Sequence, residues 1–385
     1  MYEFKRFKAA GADINNELLK IWIARYLPEF DKISHHVRYH VEQRLRSSIT
    51  DDARQATSFN INHHLESDCA LAAVDTQQLL SKKLSPFPDI WELQELSIKI
   101  KQIYAVLIDS YEKSFIFSPI VDYIHVIDSE ERRLEAVDLV IPHFVSLMLT
   151  VGPLLRELKA VYFSSVNHHL VGFMTTQLHL TRKRILSHLT PYDCTWLVPY
   201  LHVLDELMCM PWQRICSIMP STSNMTQSLA VARKMMPQVS SISAYTYQQA
   251  LQTFPKHISS QGRIQSAAVQ ASSLRDLNMF QAYIWLCVLE DSASVIEKQL
   301  LPLCLQVFSL TDVQWELVNF GVQTIIKTIL EQLLPHEQAI FKKQADIIES
   351  LFLNAQPQEE QVALLKKQLQ TSDAVDAANL TGTSN

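Results

Sequence analysis

Fourteen histidines and six cysteines are the residues with the most to offer chemically in this 385-residue chain, and their spacing is where a site would show first. Two histidine pairs occur in the same local text, Asn62-His63-His64-Leu65 and Asn167-His168-His169-Leu170. Neighbouring residues on a helix point about 100° apart, so one imidazole of each pair can face the core while the other faces solvent. The plainer reading is polar residues near a helix start, satisfied by nearby backbone or side-chain groups. The sharper one is two equivalent tetrapyrrole or metal sites at His63, His64, His168 and His169. His36 and His40 have a chelating spacing but no third ligand in view. His202, Cys209 and Cys216 recur every seven residues, and about 10.5 Å of helical rise per step is too far for one ion. That series reads as core packing.

Familiar helical enzymes can be tested directly. A di-iron carboxylate bundle needs Glu-x-x-His on two helices, and no histidine here has glutamate three positions before it. The His336-Glu337 pair lacks the second histidine of a zinc helix, because Ile340 stands there. No His-Asp dipeptide is present, and Asp51-Asp52 is not followed by the further acid that an aspartate-rich magnesium motif requires. Six glycines leave no phosphate loop, dinucleotide fingerprint or nucleophile elbow. No catalytic residue is assigned, and the expectation leans against an enzyme.

A different chemistry, that of adaptable apolar contact, is offered by Met208-Cys209-Met210-Pro211-Trp212-Gln213-Arg214. Proline either kinks a helix or begins one, and methionine adapts its shape, so Met208, Met210, Trp212 and Arg214 are candidates to line an interaction groove. Ordinary core is the competing reading.

The elements that must position these residues are helices. Glycine scarcity removes most positive-φ turns, and with them sheet-rich folds. An apolar content of 48 % with 19 % charged residues is that of a folded chain. Helical periodicity runs through Leu18 to Tyr26, Ile33 to Leu45, Ile90 to Leu107, Glu130 to Phe163, Leu170 to Leu189 and Pro191 to Met219. It resumes over Ser273 to Phe308, Asp312 to Leu334 and His336 to Leu353. Thr190-Pro191-Tyr192-Asp193 and Thr311-Asp312-Val313-Gln314 read as helix starts. The fold class is all-α.

An internal duplication organises the first half. The histidine pairs are 105 residues apart, and at the same offset Leu84-Ser85-Pro86-Phe87 matches Leu189-Thr190-Pro191-Tyr192 and Trp91 matches Trp196. Leu310 to Val318, with Trp315, is a weaker third echo. The three tryptophans are expected to anchor cores. Expected divisions are helical modules over 1–118 and 119–220, an irregular connection over 221–272, a third bundle over 273–370 and a disordered tail over 371–385.

A net charge of −6 argues against nucleic acid as a partner. Arg182-Lys183-Arg184 reads as a solvated helix face, and the scattered cysteines, none in a CxxC, read as reduced thiols in the cytoplasm. No secretory signal is visible near the first residue. Leu139 to Leu155 is nearly continuous apolar sequence with Pro142, His143, Gly152 and Pro153 inside it; a buried central helix is the better reading than a membrane span, and peripheral membrane association stays open.

Over Val166 to Ser217 the text resembles a group of uncharacterised all-helical cyanobacterial proteins, on Gly172-Phe173-Met174-Thr175-Thr176-Gln177-Leu178-His179, Leu189-Thr190-Pro191-Tyr192 and Pro211-Trp212-Gln213-Arg214-Ile215-Cys216. The resemblance implies a cyanobacterial cytoplasmic or thylakoid-facing setting and carries over no functional residue. Together these readings favour a non-enzymatic adaptor, scaffold or regulator with a protein partner and no cofactor. The alternative is a bundle that holds a tetrapyrrole or metal through the histidine pairs.

Overall fold

The computed structural model describes residues 17–27, 38–81, 89–118, 130–163, 169–218 and 223–355. The chain divides into two compact units, one of residues 1–240 with 281–291 and one of residues 241–280 with 292–385. The protein is all-α, and its described strands are one two-residue hairpin pair.

In the first unit the helices are α1 (Glu17–Ala24), α2 (Arg38–Ser48), α3 (Asp51–Leu80), α4 (Ile90–Lys113), α5 (Glu130–Phe163), α6 (His169–Ser187), α7 (Pro191–Cys209), α8 (Trp212–Cys216) and α9 (Ser223–Met235). Thr50 caps α3 by accepting from the Ala53 N–H, and Asp89 with Glu92 forms a capping box on α4. Thr190 caps α7 as its sequence predicts, with Pro191 at the first helical position. The expected long helix over 191–219 stops at Cys209, because Pro211 lacks the N–H that would continue it.

α3 packs on α6 and α4, and α5 packs on α4, α1, α7 and α6. α5 carries Pro142 and Pro153 and survives both, because Val140, Ile141, Phe144, Leu147, Met148, Val151, Leu155 and Leu158 bury one side of it. Ala136–Val161 is long and apolar enough to cross a membrane by length and composition. Ion pairs from Lys20 to Asp138 and from Lys99 to Glu157 hold its two ends to α1 and α4. Its outer side keeps Leu139 and Val161 partly exposed, so it is half-buried rather than central.

The duplication is legible in burial. Leu65, Asp68, Cys69, Ala72, Thr76 and Leu80 on α3 are buried, and so are Leu170, Phe173, Met174, Gln177, Thr181 and Ile185 on α6, each 105 residues later. These matched faces pack on each other, where Gln177 Nε2 donates to the Cys69 carbonyl at 3.4 Å. The two copies therefore do not form the separate modules expected over 1–118 and 119–220. Each buries the other's inward face within one unit.

The second unit begins in α10 (Val239–Thr253) and continues through β1 (Ile258–Ser259), β2 (Gly262–Arg263) and the first part of α11 (Ala267–Glu290). A π-helical turn at Ile296–Leu300 then leads into α12 (Leu301–Leu310), α13 (Trp315–Gln332) and α14 (Pro335–Asn354). Pro302 has no N–H to give Lys298, which explains the widened turn before it. Gly262 at φ 122 closes the hairpin, a backbone conformation that strains any side chain. The region 221–272, expected to be irregular, is mostly helix: α9, a 3₁₀ turn at Met236–Gln238, α10 and the start of α11. The expected capping box at Thr311 does not form. Thr311 ends α12, its hydroxyl donating to the Val307 carbonyl, and α13 begins three residues after Asp312. The tail over 371–385 lies outside the described residues.

Candidate functional site

Two clusters in the first unit merit assembly from their residues. The first contains a predicted pair. His63 and His64 sit mid-helix on α3, not at a helix start. Their rings meet edge to face with centroids 4.8 Å apart, and His64 stacks on His188 at 4.6 Å. His188 Nε2 lies 3.0 and 3.1 Å from the two oxygens of Asp68, whose side chain is almost wholly buried. Asn60 Nδ2 donates to the His188 carbonyl at 3.2 Å, and Phe59 stacks on His63. A buried carboxylate needs a donor, and His188 supplies it from the end of α6. His63 stands at the solvent edge.

Among the described residues no group of His, Cys, Asp or Glu side chains is arranged to hold a metal ion. His168 and the side chain of His169 lie outside the described residues. Asp68 and His188 escaped sequence inspection for different reasons. Asp68 follows His64 by one helical turn, a visible spacing, whereas His188 is brought in only by the pairing of α3 with α6.

The second cluster is charged and largely buried. Trp22 and Tyr26, one turn apart, converge with Arg25 on Glu206 of α7. Trp22 Nε1 donates to Glu206 Oε2 at 3.0 Å and Arg25 Nη2 to Glu206 Oε1 at 2.8 Å. The Tyr26 hydroxyl donates to Glu206 Oε2 and also accepts from Trp22 Nε1 at 2.7 Å. Arg25 lies over the Trp212 ring at 5.0 Å, and Trp22 stacks on Trp212. Burial, and then the negative charge of Glu206, hold the Tyr26 phenol well above its ordinary pKa. Leu18, Leu19, Trp22, Ile23 and Tyr26 formed a visible stripe. Glu206 also carried a signal: with Asp205 it makes an acidic pair between Leu204 and Leu207 in the apolar last turns of α7.

This cluster decides the predicted groove. Met208, Met210 and Trp212 are buried, and Trp212 Nε1 donates to Met210 Sδ at 3.1 Å. Arg214 makes a two-pronged ion pair with Glu290, with both distances 2.5 Å. Trp22 of α1 and Arg25 just after it lie on the Trp212 ring, so among the described residues Met208, Met210 and Trp212 stand in packed surroundings. Other surface readings also change. Arg182 and Arg184 are ion-paired, to Asp205 and Asp75, rather than simply solvated. His202 is exposed while Cys216 is buried, so the seven-residue series does not share one environment.

The tryptophans matched by the repeat part company. Trp196 is fully buried and donates to Ser48 Oγ at 3.1 Å, and Trp315 is buried, stacked on Phe352 and bonded to the Phe352 carbonyl. Trp91 is 72 % exposed and anchors no core among the described residues. The cap explains it. α4 starts at Ile90, so Trp91 falls in its first turn, whereas Trp196 lies in the second turn of α7.

Residues 210–352 match the family model described as phycobilisome protein. The match runs from the residue before Pro211 through α8 to α14, and it leaves both histidine pairs outside. It shares only residues 210–217 with the stretch that resembles the uncharacterised cyanobacterial group. No curated protein and no solved structure matches the chain.

Proposed function

We propose that this protein is a non-enzymatic helical component that works by binding other proteins, as an adaptor, scaffold or regulator of a phycobilisome-type assembly in the cytoplasm. The observation that carries the reading is the phycobilisome-protein match over 210–352, on an all-α chain. A helical surface recognises protein partners through side chains at helical spacing. The second unit offers such a surface between α13 and α14, an open depression lined by Gln323, Ile326, Lys327, Leu330, Gln338 and Glu349. Mixed charge around two apolar residues suits a polar-rimmed protein contact better than a dry ligand pocket.

The three thiols in the matched segment, Cys216, Cys287 and Cys304, are buried, and burial raises those of Cys216 and Cys304 far above the ordinary value. A pigment anchored through any of them would have to open the core, so the proposal needs no pigment on this chain. The test is cross-linking of the intact chain with isolated phycobilisomes, followed by mapping of the linked peptides. Links from residues 210–352 to phycobilisome polypeptides are the expected result. Links absent, or confined to other segments, would remove the basis of the proposal.

A further inference from the structure

The 8 residues of α1 are too few to hold a helix by themselves, since isolated helices shorter than about 12 residues are marginal in water. α1 is helical because it is docked. What it docks on comes from far along the chain: α5, α8 and the 3₁₀ turn at Met236–Gln238. Leu18, Leu19, Trp22 and Ile23 are buried, and so are Tyr26 and Leu27 just after the helix. Tyr26 stacks on Phe144 of α5 with ring centroids 5.5 Å apart, and Trp22 stacks on Trp212 of α8. Large side chains one turn apart, laid on a surface built by other helices, are the way an amphipathic helix occupies a groove.

The bonds that complete the contact are polar. Glu17 pairs with Arg233, Lys20 with Asp138 and Arg25 with Glu206. The docked state also carries a penalty: Arg25 Nη1 is buried with no hydrogen-bond partner among the described residues. A buried ion pair gains little over an apolar contact of the same size, because both charges give up their water. Opening the contact returns that water and satisfies the orphan nitrogen. The groups that hold α1 down therefore also lower the cost of lifting it. Helix and contact are lost together, which makes α1 a two-state element.

We propose that α1 is a strap that lifts as a unit from the rest of the first unit, uncovering Phe144, Glu206 and Trp212 as a groove for a helix with the side-chain order of α1. Trp212 lies in the segment matched to phycobilisome proteins and α1 does not, so lifting uncovers part of that segment. The strap stands whether or not the assembly reading holds.

Native-state hydrogen exchange of the full chain reads the lifting. Amides of residues 21–27 should exchange in step with one another, at least about tenfold faster than the slowest amides of α3 and α4. Their rate should barely change as urea is raised below the unfolding transition, whereas that of α3 and α4 should climb steeply. A labelled peptide of residues 17–27 probes the groove. It should bind a Trp22→Glu chain, whose own strap no longer docks, at least about tenfold tighter than the parent chain. The same peptide carrying Trp22→Glu should bind neither. Amides of 21–27 that share the rate and urea dependence of α3 and α4 would overturn the inference, since α1 would then open only with the whole unit. So would a peptide that binds both chains equally or neither, or a Trp22→Glu chain that loses helix beyond α1.

Discussion

Replacing Glu206 with alanine should be among the most damaging single changes in the first unit. The carboxylate receives hydrogen bonds from Trp22, Arg25 and Tyr26 and is only 12 % exposed at its side chain, while Arg25 is 17 % exposed. Removing it leaves a mostly buried guanidinium without its counter-ion and the buried Tyr26 hydroxyl without its acceptor, while Trp22 keeps only its bond to that hydroxyl. Breaking a fully buried pair by deleting one partner costs about 3–5 kcal/mol, and residual exposure of both groups places this case near the lower end, about 3 kcal/mol. For a unit of this size that corresponds to roughly 6–12 °C in Tm. Glu206→Gln keeps an acceptor for Tyr26 and Trp22 and loses only the charge, so it should cost about half as much. Urea unfolding followed by tryptophan fluorescence reads the effect where it arises, because Trp22 and Trp212 stack in the same cluster. A Glu206→Ala midpoint within about 0.5 kcal/mol of the parent would refute the cluster as the fastening of α1.

Trp196→Ala should cost about 3–5 kcal/mol in urea unfolding while Trp91→Ala stays within about 0.5 kcal/mol, despite their matched places in the repeat. At pH 8 a thiol reagent should label the native chain slowly, at Cys194 and Cys209 first, and reach all six thiols only after denaturation; burial pushes the Cys69 thiol up to about 12. Stability should also fall in alkali. Burial raises the folded pKa of Tyr26 and Tyr104 well above 10, so their contribution is complete below about pH 10 and is lost as pH rises towards the folded values. A chemical denaturation series from pH 8 to 11 with a level midpoint would contradict that.

Helix class and most helix positions could be read because periodicity and glycine scarcity are local properties. Glu130 to Phe163 is predicted with the observed limits. The repeat was readable for the same reason, and α3 and α6 bury equivalent residues along it. What the repeat could not say is that its copies pack on each other, since offset in sequence carries no information about docking. Trp91 shows the cost of reading a cap one turn wrong: the acid that caps α4 is Asp89, four residues beyond the Ser85 that the repeat suggested. The apolar character of Met208, Met210 and Trp212 is local and visible, but the residues that lie on Trp212, Trp22 and Arg25, come from nearly two hundred residues earlier in the chain. The His63-His64 pair kept its neighbourly character while its actual partners, His188 and Asp68, came from the fold.

The central claim, that the chain acts by assembling with phycobilisome proteins, is tested most directly by density-gradient sedimentation of a native extract probed for this protein. The account predicts that it travels with the pigmented assemblies and returns to the top of the gradient when they are dissociated. A chain that stays at the top, at the mass of its own monomer or dimer while intact assemblies sediment without it, would contradict the account.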